Sequence, residues 1–179
     1  MSDKRTILVD ICWTLFYSNT TYDFLHIKGN PLNSLIYRLF RHDLVRSRAI
    51  KRFNRLTSEE QRAQAEYFYN HYLEPRKIAE VWALLKDRDV ILVSHTMPVI
   101  AQTVAEHIGA KAFYATPQKE DVLPLYSDFD IITDNLTDLP LIRRAAHATI
   151  LTYNNRDRWL RRLPDTHNIT FIDTNRTRY

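Results

Sequence analysis

The sequence predicts an α/β protein in which a parallel sheet is flanked by helices and a helical segment is inserted after the first strand. Three observations predict this class. Short apolar, β-rich segments alternate with helix-like segments over the carboxyl-terminal half, as they do in βαβ units. A long stretch near the amino terminus contains no convincing strand. The 179 residues are 45% hydrophobic and 26% charged, which is ordinary for one globular domain with a small insertion.

The predicted strands are short and bounded by polar residues. They cover residues 6–10, 89–94, 111–115, 129–133, 148–152 and 169–172. Helix-like patterns lie between the later strands, at residues 76–87, 98–108 and 137–146. The second helix begins near Pro98 and stops at Gly109, and these residue types favour helix starts and ends. The elements together indicate a Rossmann-like parallel sheet, which binds ligands at its carboxyl edge.

Residues 19–75 are predicted to form a helical cap, and residues 1–18 and 76–179 to form the α/β core. Helical periodicity is present in the segments "PLNSLIYRLFRHDL", "VRSRAIKRFNRL" and "TSEEQRAQAEYFYNHYL". Thr57 and Glu60 stand in capping-box spacing at the start of the last of these. A segment inserted at this point is expected to fold over the carboxyl edge of the sheet.

Composition excludes several classes of protein. No apolar run approaches the roughly 20 residues of a membrane helix, and two glycines in the whole chain exclude a glycine-rich phosphate loop. The amino terminus lacks the apolar stretch of a signal peptide and a single cysteine cannot form an internal disulfide, so we expect a cytoplasmic protein. The net charge of +4 is concentrated in residues 36–55 and 156–162, where cationic and apolar residues mix as on a solvated helix face. No nucleic acid partner is expected.

Polar side chains are found where the predicted strands end. Asp10 and Thr14 follow the first strand, Ser94 closes "DVILVS", and Asp134 and Asp138 lie in "IITDNLTDLP". Each has an ordinary explanation when taken alone, such as a turn or a helix cap. Because parallel strands end at one edge of a sheet, these residues are expected to converge, and their joint occurrence indicates a functional site.

The motifs resemble those of the haloacid dehalogenase (HAD) superfamily, and within it the phosphoserine-phosphatase-like branch with a small helical cap. "ILVDICWTLF" resembles the first motif, a strand followed by D-x-D-x-T. "VILVSHTMPVIAQTVAEHIGA" resembles the second, a strand ending in Ser or Thr, and "IITDNLTDLPLI" resembles the fourth, an acidic pair usually preceded by Gly. The resemblance covers most of the chain, with the cap matched only in length and helical character.

The resemblance implies an Mg²⁺-dependent phosphomonoester hydrolase that acts on a small phosphorylated metabolite. Asp10 would be the nucleophile, which attacks phosphorus to form an aspartyl-phosphate. Asp134 would ligate Mg²⁺ together with Asp10 and the backbone carbonyl of Cys12, and Asp138 would hold a metal-bound water or support the site. Carboxylate and carbonyl oxygens are ligands that suit Mg²⁺.

The phosphate group would be bound by hydroxyl, amide and cationic groups. Besides the backbone amides near residues 11–13, the candidates are Thr14, Ser94, His95 and Lys119. Lys119 in "TPQKEDVL" corresponds to the lysine of the family's third motif, and Lys111, which lies within a predicted strand, is its rival. The candidate substrate contacts from the cap are Tyr17, Tyr22, Arg38, Arg41 and Arg46, although such aromatic side chains more often pack in a core.

Two positions depart from the motifs. Thr133 replaces the glycine of the fourth motif, and Cys12 replaces the second aspartate of the first, which in the family protonates the leaving group and later activates water. Three interpretations of Cys12 stay open. The protein is a slow phosphatase or one whose leaving groups need little protonation, or a non-catalytic protein that binds a phosphorylated ligand or partner, or the thiol is itself a weak acid or redox gate.

Overall fold

The computed structural model describes residues 5–25, 42–163, 168–174 and 176, with the side chains of residues 42–45 left aside. Its strands are β1 (Thr6–Val9), β2 (Asp89–Ser94), β3 (Ala112–Ala115), β4 (Asp130–Thr133), β5 (His147–Thr152) and β6 (Ile169–Asp173). They form one sheet in the order β3-β2-β1-β4-β5-β6, and each neighbouring pair is parallel. The predicted α/β class with a parallel sheet is confirmed.

Seven α-helices lie within the described ranges. They are α1 (Thr20–Phe24), α2 (His42–Phe53), α3 (Ser58–Phe68), α4 (Ala79–Leu84), α5 (Pro98–Ile108), α6 (Leu139–Ile142) and α7 (Arg156–Arg162). A π-helical turn covers Tyr69–Leu73, and 3₁₀ turns cover Glu74–Arg76, Lys119–Leu125 and Leu136–Asp138. None of the helices in this part of the chain is both long enough and apolar enough to cross a membrane.

Two predicted helices are shorter than expected, and the 3₁₀ segment at residues 119–125 was not predicted. The helix predicted at 76–87 is reduced to α4 because Lys77 forms a β-bridge with Phe16, so the helix cannot begin before that extended residue. The helix predicted at 137–146 is reduced to a 3₁₀ turn and α6. There the Ala146 N–H donates to the Phe129 carbonyl at 2.9 Å, which turns the chain back toward the sheet.

The sheet has a hydrophobic core on each face. Side chains alternate along β1, so Ile7 and Val9 pack into the core that contains helices α3 and α5, while Leu8 faces the other core. Trp159 of α7 is fully buried in that second core. The cationic segment 156–162 is therefore an amphipathic helix that anchors one aromatic side chain and exposes its arginines.

The inserted segment leaves and rejoins the core at one place. The Tyr17 N–H donates to the Arg76 carbonyl at 2.9 Å, and the Ile78 N–H donates to the Leu15 carbonyl at 3.0 Å. Between these ends the described residues form helices and helical turns joined by short non-helical links, and the capping box at Thr57 is present at the start of α3. Residues 26–41, which include most of the first predicted cap helix, lie outside the described residues. The division into a core and a cap at residues 19 and 75 stays a prediction.

The strand order places three strand ends side by side. The chain passes from β1 to β2 and β3 on one side, then crosses back to β4, which pairs with the opposite edge of β1. The carboxyl ends of β1, β2 and β4 are therefore adjacent at the point where the strand order reverses. Crevices at such points are the usual ligand sites of open α/β sheets.

Candidate active site

Asp10 lies at the centre of this crevice. Its N–H donates to the Ile132 carbonyl of β4 at 3.0 Å, which holds the residue in line with the strand that it follows. Its Oδ1 accepts a hydrogen bond from the Ile11 N–H at 2.7 Å. Its Oδ2 lies 2.8 Å from the Nζ of Lys119. The carboxylate is thus buried, oriented on both oxygens and paired with a cation.

Lys119 lies between two carboxylates. Its Nζ is 2.8 Å from Oδ2 of Asp10 and 2.8 Å from Oδ2 of Asp138, and the residue is only 5% exposed. Burial opposes the ammonium charge, but the two carboxylates outweigh it and raise the pKa of Lys119 above its ordinary value. Lys111, the alternative candidate for this role, is exposed and forms an ion pair with Asp89 at the start of β2. Of the two lysines, only Lys119 contacts Asp10.

Asp138 supports the lysine side of the site. Besides Lys119, its carboxylate accepts hydrogen bonds from the hydroxyls of Thr133 at 2.6 Å and Thr137 at 3.3 Å. Burial and the negative charge of Asp10 raise the pKa of Asp138, despite the opposing effect of Lys119. Thr133, which replaces a glycine in the motif, therefore orients Asp138 with its hydroxyl. The sequence pattern contained no signal for this role.

Asp134 and Ser94 complete the edge of the sheet around Asp10. Asp134 is 4% exposed, and its Oδ1 accepts a hydrogen bond from the Thr14 hydroxyl at 3.2 Å. Ser94 ends β2 and is 1% exposed. Its Oγ has no hydrogen-bond partner among the residues that the structure describes. A buried hydroxyl without a partner at the end of a strand is available to a ligand oxygen.

These groups open into a pocket of about 460 Å³. This volume suits a small molecule. The residues that line the pocket are Asp10, Cys12, Trp13, Asn19, Thr21, Tyr22, Arg46, Ser94, His95, Lys119, Asp134 and Asn135. Of the predicted substrate contacts, Tyr22 and Arg46 line it. Tyr17 packs instead against the Arg176 guanidinium, 4.1 Å from its ring centroid, while Arg38 and Arg41 lie outside the described residues.

The Cys12 thiol is partly buried and contacts a cluster of buried threonine hydroxyls. Its Sγ lies 2.9 Å from the Oγ1 of Thr20, which lies 2.8 Å from the Oγ1 of Thr96, and Thr96 also contacts Thr21 at 3.2 Å. Burial, followed by the negative charge of Asp10, raises the pKa of the thiol above its ordinary value. Cys12 is therefore a neutral thiol at neutral pH. The three threonines were not singled out in the sequence, because lone hydroxyls carry no motif.

His95 and Arg46 meet at the rim of the pocket. One guanidinium nitrogen of Arg46 lies 3.2 Å from Nε2 of His95, and another donates to the His95 carbonyl at 3.4 Å. Burial and the positive charges of Arg46 and Lys119 lower the pKa of His95. Since arginine can only donate, Nε2 of His95 is the acceptor and the ring is neutral. Helix α2 of the inserted segment is thereby joined to the loop after β2.

The donor chemistry of the site fits Mg²⁺. Asp10 and Asp134 present carboxylate oxygens to the same pocket, and this hard cation prefers oxygen ligands while keeping several waters. Within the described ranges no three His, Cys, Asp or Glu side chains form a metal-binding group. Asp138 contacts Lys119 rather than joining Asp10 and Asp134 in such a group. The side-chain set suited to the ion is therefore a pair of carboxylates.

The chain is similar in fold to several solved structures at low sequence identity. No protein-family model matches this chain, and no curated protein matches it. A protein of unknown function from Bordetella pertussis Tohama I is 17% identical, with a TM-score of 0.60 over 95% of this chain and 99% of that chain. Cytosolic 5'-nucleotidase IIIB bound to cytidine is 11% identical, with a TM-score of 0.53 over 94% of this chain and 80% of that chain. A substrate-bound phosphoserine phosphatase is 12% identical, with a TM-score of 0.50 over 84% and 87%.

These likenesses establish the class of fold. Phosphoserine phosphatase and cytosolic 5'-nucleotidase are both members of the HAD superfamily, so the chain has a HAD-like fold, as the motifs predicted. In this chain, the carboxyl edge of the sheet holds a buried lysine, Lys119, between the carboxylates of Asp10 and Asp138.

Proposed function

We propose that this protein is an Mg²⁺-dependent phosphomonoester hydrolase that acts through an aspartyl-phosphate on Asp10. The observation that carries the proposal is the position of Asp10. Its carboxylate is oriented by the Ile11 N–H and lies 2.8 Å from Lys119. It faces the same pocket as Asp134 and as the Ser94 hydroxyl, which has no hydrogen-bond partner within the described part of the chain. A carboxylate nucleophile, a fixed cation and a free hydroxyl are the groups that phosphoryl transfer to a protein side chain needs.

In the first step, a carboxylate oxygen of Asp10 attacks the phosphorus of the bound ester. The bond from phosphorus to the ester oxygen breaks, and the leaving alcohol takes up a proton. Phosphoryl transfer depends mainly on positioning and on neutralising the charge of the equatorial oxygens. The Lys119 ammonium and the Ser94 hydroxyl supply this stabilisation from positions that are fixed before the substrate binds.

Mg²⁺ would be held by Asp10, Asp134 and the backbone carbonyl of Cys12, and would neutralise negative charge on the phosphate. Lys119 contacts the Asp10 carboxylate directly, and Asp138 contacts Lys119. The Asp138 carboxylate, oriented by Thr133, keeps the lysine charged and directed at Asp10.

In the second step, water attacks the phosphorus of the aspartyl-phosphate, which releases inorganic phosphate and restores the Asp10 carboxylate. In the family, this water and the leaving group exchange their protons with the aspartate that Cys12 replaces. A thiol whose pKa is raised can donate a proton, but it is a poor base at neutral pH. The enzyme is therefore expected to turn over slowly, and to prefer leaving groups that need little protonation.

The proposed substrate is a small phosphomonoester, in keeping with a pocket of about 460 Å³. Arg46 and Tyr22 line the pocket from the inserted segment and are the proposed contacts to the part of the substrate beyond the phosphate. We place the reaction in the cytoplasm, with no nucleic acid partner.

The proposal is tested with the purified protein and a broad panel of phosphomonoesters. Release of phosphate should require Mg²⁺ and stop on addition of EDTA. Asp10→Asn should abolish it while preserving the fold, because the amide is nearly isosteric with the carboxylate but is a poor nucleophile. Activity within a few-fold of wild type in that variant would end the aspartyl-phosphate mechanism.

The second candidate is a non-catalytic HAD-like protein that binds a phosphorylated ligand or partner. The observation that favours it is the neutral thiol of Cys12, which is held by Thr20 at the position of the missing acid. The two candidates differ in one respect. A non-catalytic protein would bind inorganic phosphate in calorimetry, and would lose this binding in Lys119→Met, but would hydrolyse no ester of the panel.

A further inference from the structure

The loop after β1 contains a residue in an unfavourable backbone conformation. Trp13 has a φ of 58°, which is the left-handed region. A bulky residue seldom adopts this conformation, because its Cβ crowds the backbone, and it persists only where the surrounding structure holds it. The residue stands between Cys12 and Thr14, in the middle of the proposed first motif.

Tyr153 supplies contacts that hold Trp13. Its hydroxyl donates to the Trp13 carbonyl at 2.5 Å, and the two rings pack edge to face with centroids 5.6 Å apart. Tyr153 directly follows β5 and is 6% exposed, so its own position is fixed by the sheet and the core. On the other side of the residue, the Trp13 N–H donates to the Ser18 carbonyl at 3.1 Å.

The conformation of Trp13 determines where its two neighbours lie. The Leu15 N–H donates to the Ile11 carbonyl at 3.0 Å, so the chain turns within a few residues. This turn brings the Thr14 hydroxyl within 3.2 Å of Asp134. A change of backbone angle at residue 13 would move Thr14 away from Asp134 and would redirect the adjoining peptide group of Cys12.

We infer that Tyr153 is a positioning residue of the proposed active site. Its hydroxyl keeps Trp13 in the left-handed conformation, and this holds the Cys12 carbonyl and the Thr14 hydroxyl in place around Asp134. Tyr153 is not among the residues that line the pocket, so its proposed effect on the site is transmitted through Trp13. The kinetic consequence rests on the proposed function, whereas the effect on the loop does not.

Tyr153→Phe tests the inference because it removes the hydroxyl and keeps the ring. For the phosphomonoester that wild type hydrolyses best, kcat should fall about tenfold, since small displacements of catalytic groups are costly. KM should stay within about twofold of wild type, because Arg46 and Tyr22 are not disturbed. Mg²⁺ affinity, measured by calorimetry, should fall several-fold as the Thr14 contact to Asp134 loosens.

Tyr69→Phe is the matched control. Tyr69 is 3% exposed, and its ring also packs edge to face with an aromatic residue of the first loop, Phe16, at 6.0 Å. It lies in the inserted segment, and its hydroxyl is hydrogen-bonded to Lys77. Its variant should lose some thermal stability without a change in kcat or in Mg²⁺ affinity. Equal losses of kcat in both variants would show that the effect of Tyr153 comes from packing in general and not from its hydrogen bond to Trp13, and would overturn the inference.

Amide hydrogen exchange measured by NMR provides a readout that needs no activity. The Trp13 N–H should exchange faster in Tyr153→Phe than in Tyr69→Phe. Without the Tyr153 hydroxyl, the backbone of Trp13 is held less firmly, and its hydrogen bond to the Ser18 carbonyl should open more often. Unchanged exchange at residue 13 overturns the inference, and so does faster exchange with unchanged kcat in an active enzyme. A wild-type protein that hydrolyses no phosphomonoester contradicts the proposed function instead, and faster exchange would still support the role of Tyr153 in the loop.

Discussion

The ammonium group of Lys119 lies 2.8 Å from the carboxylate of Asp10, although the two residues are far apart in the sequence. Asp10 follows the central strand, while Lys119 begins a 3₁₀ turn between β3 and β4. Both side chains are buried, and Asp138 contacts the lysine from its other side. Three charged groups therefore share a space with little water, where burial and the charge of Asp10 raise the pKa of Asp138, and the two carboxylates raise the pKa of Lys119 despite its burial.

Removing the lysine charge should affect both activity and stability. Lys119→Met is expected to lower kcat by about 10²-fold or more, since it removes a fixed cation beside the reacting group. It should also destabilise the protein more at pH 8 than at pH 5, because burial and the charge of Asp10 raise the pKa of Asp138, and without the lysine this carboxylate can take up a proton at the lower pH. Thermal melts at both pH values measure this. Lys111→Met, which removes an exposed lysine, should change neither property.

The two acidic residues of the fourth motif should differ in their effect on metal binding. Asp134→Asn is expected to weaken Mg²⁺ binding by at least about tenfold, because the proposed ligand loses its charge. Asp138→Asn should weaken it much less, since this carboxylate contacts Lys119, Thr133 and Thr137. Calorimetric titration with Mg²⁺ distinguishes the two. Equal affinities in wild type and Asp134→Asn would reject this metal site.

Cys12→Asp should restore a proton-transfer group at the position where the motif lacks one. General acid-base catalysis is typically worth about 10² to 10⁴-fold, and we expect a gain of roughly tenfold toward alkyl phosphates, because the new carboxylate lies near Asp10 and is partly opposed by its charge. The Thr20 hydroxyl lies 2.9 Å from the Cys12 sulfur in wild type, so it can donate a hydrogen bond to the new carboxylate. Rates with p-nitrophenyl phosphate should change little, since that leaving group needs no proton.

Cys12→Ser is the control for this gain. The serine hydroxyl preserves a polar group beside Thr20 but adds no acid of suitable strength, so its rates should not rise. A folded, Mg²⁺-binding Cys12→Asp protein with no gain on any alkyl phosphate would favour the non-catalytic candidate, or an acid supplied by the inserted segment.

The contact between Arg46 and His95 predicts a pH dependence. The pKa of His95 in the folded protein should lie below its ordinary value of about 6.5, and Arg46→Met should raise it, because a cation at Nε2 is removed. As pH falls below 6.5, the unfolded chain binds a proton at His95 before the folded chain does, so the free energy of unfolding of wild type should decrease. The decrease should be smaller in Arg46→Met. Titration of the His95 ring by NMR measures both pKa values. Identical values in the two proteins would show that Arg46 does not act on the ring.

The periodicity of the sequence was sufficient to predict the sheet. Each of the six predicted strands is present to within one residue at either end, because buried parallel strands are apolar runs that polar turns interrupt. Helix ends were predicted less well. The helix expected at 76–87 begins only at Ala79, since the pairing of Lys77 with Phe16 depends on a residue from another part of the chain.

For the site, the sequence by itself determined which chemical groups stand at the ends of strands. An apolar run that ends in a polar residue is visible in the sequence regardless of where the strand lies in the sheet. Asp10, Ser94 and Asp134 were therefore predicted without coordinates. The tertiary structure decided which groups meet. The fold brings Lys119, the lysine that the motif resemblance implied, into contact with Asp10, and it brings the Tyr153 hydroxyl to the Trp13 carbonyl, a contact that nothing in the sequence indicated. The physical reason is that hydrogen bonds and ion pairs act over about 3 Å in space and leave no periodic trace in the sequence.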